Sequence, residues 1–326
     1  MVSSVEQEDY PRTLTELETR FGTEQACRDY LIKLRWPEGF VCPRCRTRSA
    51  WTTGRNLLVC TECEYQGSVT AGTIFQDTRK PLTLWFRAIW WVTTQKNGAS
   101  AMGVQRILGL GSYSTAWLWL HKLRRAMVRP DRDRLSGRVE VDEAYIGGLE
   151  EDVRGRQTET KALVVIACEE NESGIGRIRL RHIPDASAAS LQGFVQEAIE
   201  PGSVVHTDGW EGYTGLGVKG YKHKVTVLQR RSRSPSELLP RVHMVASLLK
   251  RWLLGTHQGA VSRDHLAYYL DEFTFRFNRR RSRSRGKLFY RLLQQAVAVA
   301  PMPYKGIVGG AWNAGKPQHI GATGVN

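Results

Sequence analysis

The sequence predicts an α/β protein in which a mixed sheet covered by helices follows a small metal-binding module and a helical module. Apolar residues recur at helical spacing in the first 130 residues, and beyond residue 130 apolar and polar residues alternate as they do in strands. Two Cys-x-x-Cys pairs precede the helical region, at a spacing typical of a metal-stapled ribbon. With 326 residues, the chain is long enough for a small module and one larger core.

The charge balance favours a polyanionic partner. The chain carries 47 Lys and Arg against 32 Asp and Glu, a formal charge of +15, and such an excess stabilises complexes with nucleic acid by neutralising phosphates. An anionic membrane would be the competing partner, but no run of about 18 apolar residues is present. The first ten residues are acidic and polar, unlike a secretion signal. We therefore expect a cytoplasmic, nucleoid-associated protein that binds double-stranded DNA and no membrane.

Four cysteines form a candidate zinc site of the pattern Cys-x2-Cys-x14-Cys-x2-Cys. They are Cys42, Cys45, Cys60 and Cys63. Two matched pairs at this spacing predict a structural Zn²⁺ site with four thiolates, which leaves no open position for catalysis. A redox pair or two disulfides are the alternatives. The neighbouring Arg44 and Arg46 favour nucleic acid as the partner of this module, although ribbons also bind protein.

The first 130 residues also predict short helices, two of them in a helix-turn-helix pattern. Residues 13–34 have apolar positions at helical spacing, and residues 81–92 are apolar on all sides, as in a core helix. We interpret the three tryptophans of that helix as core residues rather than base-stacking ones. Residues 101–108 and 114–127 predict two further helices around a glycine-containing turn. Such units bind DNA, but three-helix units without DNA contacts share the pattern.

Beyond residue 130 the sequence alternates as strands do. Strands are predicted at residues 138–142, 161–168, 176–183, 203–207 and 222–228. Helices are predicted at residues 187–200, 236–254 and 264–277. With one connection left open, the order β-β-β-α-β-α-β-α describes a mixed sheet with flanking helices. This order is close to that of the ribonuclease H fold.

Two aspartates follow predicted strands and form the candidate catalytic site. Asp142 ends the strand at 138–142 on its polar face, and Asp208 comes directly after the strand at 203–207. If the two strands are neighbours, the two carboxylates face one another and need divalent cations to offset their repulsion. Phosphodiester cleavage with two metal ions is the chemistry that uses such a pair. The alternative is that Asp142 is a capping acid and Asp208 the N-cap of a helix.

The next predicted helix offers a third group. His243 and Lys250 are seven residues apart and share one helix face, which we expect to point toward the two aspartates. Lys250, with Arg251 beside it, would contact a substrate phosphate as a point charge. A half-buried histidine with a backbone partner is the alternative for His243. Glu237 and Glu272 rank lower as third acids, because neither shares the helix face of Lys250.

A basic cluster follows the last predicted helix, and no acid lies within it. The cluster begins with Arg276, Arg279, Arg280 and Arg281. We interpret it as a phosphate-contacting segment, and a solvated helix end is the alternative. The glycine-rich stretch from residue 306 onward predicts a loose tail.

These features together resemble bacterial insertion-sequence transposases of the zinc-ribbon DDE type, the ISXO-like family. The most specific blocks are the cysteine pairs, Val141-Asp-Glu-Ala-Tyr-Ile-Gly-Gly, His206-Thr-Asp-Gly-Trp and Leu248-Leu-Lys-Arg-Trp-Leu-Leu-Gly-Thr-His. The resemblance implies a ribonuclease H-like core that uses Mg²⁺, with the first two catalytic aspartates at Asp142 and Asp208. Many relatives carry Glu or Asn where this sequence has His243. An imidazole would shift the preference toward Mn²⁺, since Mg²⁺ prefers hard oxygen ligands.

The resemblance implies a DNA transposase that binds terminal repeats and catalyses metal-dependent strand cleavage and strand transfer, as a homodimer or higher homo-oligomer on DNA. A DNA-binding regulator with an inactive core is the alternative that His243 leaves open, and a structure-specific nuclease that never joins strands is a third. We expect an N-terminal helical segment (1–35), a zinc ribbon (36–75), a helix-turn-helix-like DNA-binding module (76–130), a ribonuclease H-like catalytic domain with a basic C-terminal helix (131–295) and a C-terminal tail (296–326).

Overall fold

The computed structural model describes residues 8–129, 132–147, 161–172, 174–227, 235–259 and 261–310. The chain divides into two units, one of Met1–Pro130 with Ser282–Asn326 and one of Asp131–Arg281. The tail expected at residues 296–326 lies partly outside the described residues, which end at 310.

Most predicted helices and strands are present, with bounds that differ by a few residues. The helices of the described residues are α1 (Leu14–Arg20), α2 (Glu24–Arg35), α3 (Leu82–Thr94), α4 (Ala101–Leu108), α5 (Tyr113–Ala126), α6 (Ala188–Ala198), α7 (Pro235–Leu238), α8 (Pro240–His257), α9 (Leu266–Asn278), α10 (Arg285–Ala298) and α11 (Tyr304–Val308). The strands are β1 (Ala50–Thr52), β2 (Leu58–Cys60), β3 (Gln66–Gly67), β4 (Arg138–Ile146), β5 (Ala162–Asn171), β6 (Gly174–Ile183), β7 (Val204–Thr207) and β8 (Lys222–Val225). Within the described part of the chain, none of the helices is both long and apolar enough to span a membrane.

The first unit combines a small antiparallel sheet with a helical module. β1 pairs with β2 and β2 with β3 in the cysteine-bearing segment. α3 is the core helix that its apolar sequence predicts, because Trp85 and Trp90 are buried and Trp91 is half-buried. Trp85 stacks on Trp119 of α5, with ring centroids 3.8 Å apart. Between α4 and α5 lies the predicted turn, where Gly109 adopts a left-handed conformation.

The helix α10 completes the core of the first unit. We expected this helix to belong to the catalytic domain, because it follows α9 in sequence. In the structure it packs against α2, α3 and α5, and the ring of Phe289 lies 5.7 Å from Phe86 and 5.8 Å from Trp90 between centroids. The short helix α11 also occupies part of the stretch from residue 306 where a loose tail was expected. Periodicity predicts an apolar helix face but not which unit covers it.

The second unit is built on a five-stranded sheet in the order β6-β5-β4-β7-β8. β6, β5 and β4 are antiparallel neighbours, whereas β4, β7 and β8 run parallel. An antiparallel meander that is extended by parallel strands beside its first strand is the arrangement of the ribonuclease H fold. The predicted fold class is therefore confirmed.

Helices cover both faces of this sheet. α8 and α9 pack on the face that includes Val164 and Ile166, and α6 packs on the opposite face with Val139 and Val141. The connection between the fourth and fifth strands of this sheet, which the sequence pattern leaves open, is not an α-helix. The connection contains two short 3₁₀ turns, and its five glycines between residues 209 and 220 disfavour a longer helix.

A glycine in α10 tests the packing of the first unit. A Cβ atom at Gly286 would lie 1.7 Å from the carbonyl oxygen of Pro11, so Gly286→Ala must displace backbone. We expect this substitution to lower the free energy of unfolding by about 2 kcal/mol or more. Gly193→Ala in α6 is the matched control, because nothing lies within 4 Å of its added Cβ, and it should raise stability by about 0.5–1 kcal/mol. Equal effects in urea unfolding would contradict the packing described.

Candidate active site and zinc site

The parallel pairing of β4 with β7 determines where the two predicted aspartates lie. Glu140 is opposite His206 in this register. This is the last pair of the register, and Asp142 and Asp208 are each two residues beyond it. Asp142 lies inside β4, which continues to Ile146, whereas Asp208 is the first residue after β7. The two aspartates are therefore neighbours at the carboxyl end of β7.

A buried tyrosine lies near both aspartates. Burial raises the pKa of the Tyr213 hydroxyl well above its ordinary value, and the charges of Glu143, Asp142 and Asp208 raise it further. The hydroxyl donates a 2.8 Å hydrogen bond to Oε2 of Glu143. Both aspartates are thus within electrostatic reach of one phenol. The Glu143–Tyr213 bond ties β4 to the connection after β7, and no spacing rule predicts it.

His243 lies beside the first aspartate. Its Nε2 is 3.6 Å from Oδ2 of Asp142, and the two side chains are 33% and 17% exposed. Two turns further along α8, Lys250 is exposed and lines a cavity together with Ile146 and Gly147 at the end of β4. The face that carries His243 and Lys250 therefore borders the strand end that carries Asp142, as the helical spacing predicts.

The lower-ranked acids lie elsewhere. Glu272 is fully buried in α9, a helix that packs against β6, and its Oε1 pairs with Arg276 at 2.8 Å. Glu237 is exposed in the short helix α7. His243 is therefore the better candidate for the third group.

The start of α8 is held by a buried carboxylate on β4. Oε2 of Glu140 accepts hydrogen bonds from the backbone amides of Arg241 and Val242, at 2.8 and 3.1 Å. The guanidinium of Arg241 donates to Oε1 of Glu140 at 2.8 Å, and the Glu140 side chain is 1% exposed. Glu140 therefore attaches the helix of His243 to the strand of Asp142. Sequence reasoning missed this role, although the alternation of Glu140 with Asp142 puts both on one strand face.

Glu140 also belongs to a compact cluster with Glu170 and His206, whose ligand atoms lie within 4.8 Å of one another. Such a cluster could hold a cation by its composition alone. Arg241, however, already pairs with Glu170 at 3.3 Å as well as with Glu140. The guanidinium therefore supplies the positive charge that the two carboxylates need.

The donor set of the predicted catalytic site suits a hard divalent cation. Carboxylates are preferred ligands of Mg²⁺ and Mn²⁺, and an imidazole is more acceptable to Mn²⁺ than to Mg²⁺. Asp142, Asp208 and His243 are not among the described residues whose ligand atoms all gather within 4.8 Å. Their ligand atoms are therefore farther apart than in a closed single-ion site, and Asp142, Asp208 and His243 are the side chains that would hold the catalytic ions.

The four cysteines form the compact thiol cluster that their spacing predicts. Their sulfur atoms all lie within 4.8 Å of one another, with Cys42 3.6 Å from Cys63 and Cys45 3.4 Å from Cys60. A tetrahedral site with Zn–S bonds of about 2.3 Å has sulfur atoms about 3.8 Å apart. Hydrogen bonds from the side chain and backbone of Thr47 lower the pKa of Cys45 to about 6, which favours the thiolate that binds metal. The cluster fits a closed structural zinc site.

Family matches agree with this geometry. The ISXO2-like transposase domain matches residues 134–278, and the transposase zinc-ribbon domain matches residues 22–66, so that together they cover more than half of the chain. The chain belongs to the ISXO2-like transposase family. A relative of this transposase from Halobacterium salinarum, an uncharacterized protein in transposable element ISH50, is 26% identical over 280 residues. The alignment covers 78% of the transposase and 91% of that relative.

Two solved structures are similar to parts of the transposase. The catalytic core domain of BIV integrase is 17% identical, with 42% of the transposase and 81% of that chain covered and a TM-score of 0.27. The Mos1 strand transfer complex is 14% identical, with 68% and 78% covered and a TM-score of 0.27. Because these scores are low, the fold assignment rests on the order and directions of the strands.

The arginines predicted to contact DNA fall into two groups in the transposase. Arg44, Arg46, Arg251 and Arg281 are exposed, and so is Arg280, which is grouped with Arg276 and Arg279 because of its partners inside the unit. The side chain of Arg276 is 13% exposed and pairs with Glu272. Arg279 and Arg280 each pack over a phenylalanine ring of α9, and Arg280 also donates to backbone carbonyl oxygens of β6. The second group therefore has partners inside the unit, which composition does not reveal.

The attachment of α8 can be tested by removing the buried carboxylate. Glu140→Ala leaves two helix amides without their acceptor and leaves the Arg241 guanidinium only Glu170 as a carboxylate partner, and we expect it to lower the free energy of unfolding by about 3–5 kcal/mol. Glu140→Gln is the matched control, since its carbonyl oxygen still accepts from the amides, and its loss should be clearly smaller. Urea unfolding of both variants measures the difference. An Ala variant as stable as the Gln variant would argue against the attachment.

Proposed function

We propose that this transposase cleaves DNA strands at the ends of an insertion sequence and joins the freed 3′ ends to new DNA, using Mg²⁺ or Mn²⁺ held by Asp142 and Asp208. The observation that carries the proposal is the neighbouring position of these aspartates at the carboxyl end of adjacent parallel strands. The influence of both charges on Tyr213 supports it.

Each side chain around the site has a separate proposed role in phosphodiester cleavage and joining. The ions would activate the attacking oxygen and stabilise the leaving one. Asp142 and Asp208 bind them, and Trp210 fixes Asp208 by donating its backbone amide to Oδ1 at 3.0 Å. His243 is the third ligand or a proton acceptor beside Asp142. Lys250 contacts a substrate phosphate as a point charge, because it lies on the same helix face and is exposed.

DNA binding follows from charge and from the modules of the first unit. The formal charge of +15 favours a polyanion, and the exposed Arg44 and Arg46 favour phosphate contact by the zinc ribbon. The helix-turn-helix formed by α4 and α5 is the proposed DNA-reading element. Arg251, Arg280 and Arg281 are the exposed candidates in the second unit. We infer a cytoplasmic protein that works as a homodimer or higher oligomer on the two ends of its element.

The aspartates test the proposal directly. We expect Asp142→Asn and Asp208→Asn to reduce strand cleavage at least about 100-fold, because losing a metal ligand removes several kcal/mol of charge stabilisation. The assay incubates the protein with DNA that flanks its own gene and a target duplex, and measures nicked and joined products in Mg²⁺ and Mn²⁺. Asp264→Asn, at an exposed aspartate of the same unit, is the matched control. Equal cleavage by all variants would reject the proposal.

Variants of His243 distinguish an active transposase from the second candidate function, a DNA-binding regulator. If His243 serves the metal site, the wild type should cleave faster in Mn²⁺ than in Mg²⁺, since imidazole suits Mn²⁺ better. His243→Glu should then narrow that difference by raising the rate in Mg²⁺, and His243→Ala should slow cleavage in both ions. DNA binding without cleavage in either ion, with no rescue by His243→Glu, would favour the regulator.

A further inference from the structure

A cavity of about 860 Å³ opens in the second unit and is lined by Trp210, whose backbone amide donates to Oδ1 of Asp208. It lies on the α6 side of the sheet, where Tyr145 of β4 and Trp210 after β7 line it. These residues are three and two positions beyond Asp142 and Asp208. The volume is within the range of about 300–1,000 Å³ that is usual for small-ligand sites. The proposed chemistry does not use this cavity.

The indole of Trp210 is fixed relative to Asp208. Its Nε1–H donates to the carbonyl oxygen of Ala186 at 2.9 Å, while its backbone amide donates to Oδ1 of Asp208 at 3.0 Å. Gly212 makes this position possible, because a Cβ there would lie 2.7 Å from the Ala186 oxygen and 2.9 Å from Nε1 of Trp210. Half-buried Trp210 therefore presents a preorganised aromatic surface to the cavity.

The remaining lining suits a nucleobase better than a free anion or an apolar ligand. Lys161 and Arg263 bring positive charge to the cavity, while Asp185 and Glu211 bring carboxylates that disfavour an isolated phosphate. Carboxylate oxygens accept from the exocyclic amino groups of bases, and the hydroxyl of Thr214 both donates and accepts. An aromatic platform with mixed polar groups around it is the chemistry that recognises an unstacked base.

We propose that this cavity holds one unstacked nucleotide of the DNA substrate, next to the strand bond that is cleaved, with its base against the indole of Trp210. The inference rests on the proposed transposase function, because a DNA strand held at Asp208 would lie next to Trp210, the residue that contacts Asp208 and lines the cavity. Unstacking a base costs free energy, and stacking on a fixed indole offsets that cost.

The test combines base removal with removal of the indole. One nucleotide at a time across the element end is replaced by an abasic analogue, and duplex affinity is measured by fluorescence titration with Ca²⁺ in place of Mg²⁺. For the wild type, removal of the base at one position should lower the affinity for the duplex about tenfold. Trp210→Ala should bind the intact duplex about tenfold more weakly than the wild type does. Removal of the base at that position should not weaken its binding further, which is the result expected when the indole and the base interact directly.

Two further variants separate stacking from structural effects. Trp210→Phe keeps an aromatic face but loses the bond to Ala186, so it should retain most of the coupling. Ala188→Phe, at an exposed residue of the cavity rim, should abolish the coupling without altering Trp210, and it replaces Trp210→Ala if that variant does not fold. Val218→Ala is the control, because its side chain is 93% exposed in the same unit.

The outcomes of the two proposals are distinguishable. Loss of strand cleavage in Asp208→Asn supports the proposed function, whether or not the cavity binds a base. If no abasic position is coupled to Trp210, or if Trp210→Phe behaves as Trp210→Ala, the cavity does not hold a base and the inference is overturned. If coupling is present in affinity but no cleavage occurs in Mg²⁺ or Mn²⁺, the base site stands and the catalytic proposal fails.

Discussion

The site depends on the parallel pairing of β4 with β7. Parallel neighbours end at the same edge of a sheet, and Asp142 and Asp208, each two residues beyond the pair Glu140–His206, therefore lie at that edge, where both charges act on Tyr213. Side chains alternate between faces along a strand, so a slip of one residue would turn Asp142 toward the apolar face covered by α6. The buried valines on that face, Val139 among them, oppose such a slip.

The strand of the first aspartate also holds the helix of the third group. A carboxylate as deeply buried as that of Glu140 is stable only when its oxygens are fully paired, and its partners are two amides and one side chain at the start of α8. The two-residue spacing from Glu140 to Asp142 therefore couples the position of His243 to the strand. The site is held by attachments outside the proposed metal ligands, and these limit how far the helix can move.

The first unit requires both ends of the described chain. α10 supplies Phe289 to an aromatic cluster built from Phe21 at the end of α1 and from Phe86 and Trp90 of α3, so this core closes only after the intervening second unit has been synthesised. The zinc cluster joins residues that are closer along the chain, because only 14 residues lie between its two cysteine pairs. Metal binding thus stabilises a ribbon whose own strands have only two or three residues each.

Sequence patterns alone establish most elements and the chemical groups at their ends. Periodicity predicts the strands and helices of the second unit, cysteine spacing predicts the thiol cluster, and helical phase predicts that His243 faces the site of Asp142. Three features emerge only from the folded chain: α10 joins the first unit, Arg276 pairs internally with Glu272, and Glu140 holds α8. The reason is physical: periodicity reports which face of an element is apolar, whereas the partner of that face, or of a buried charge, comes from residues far away along the chain.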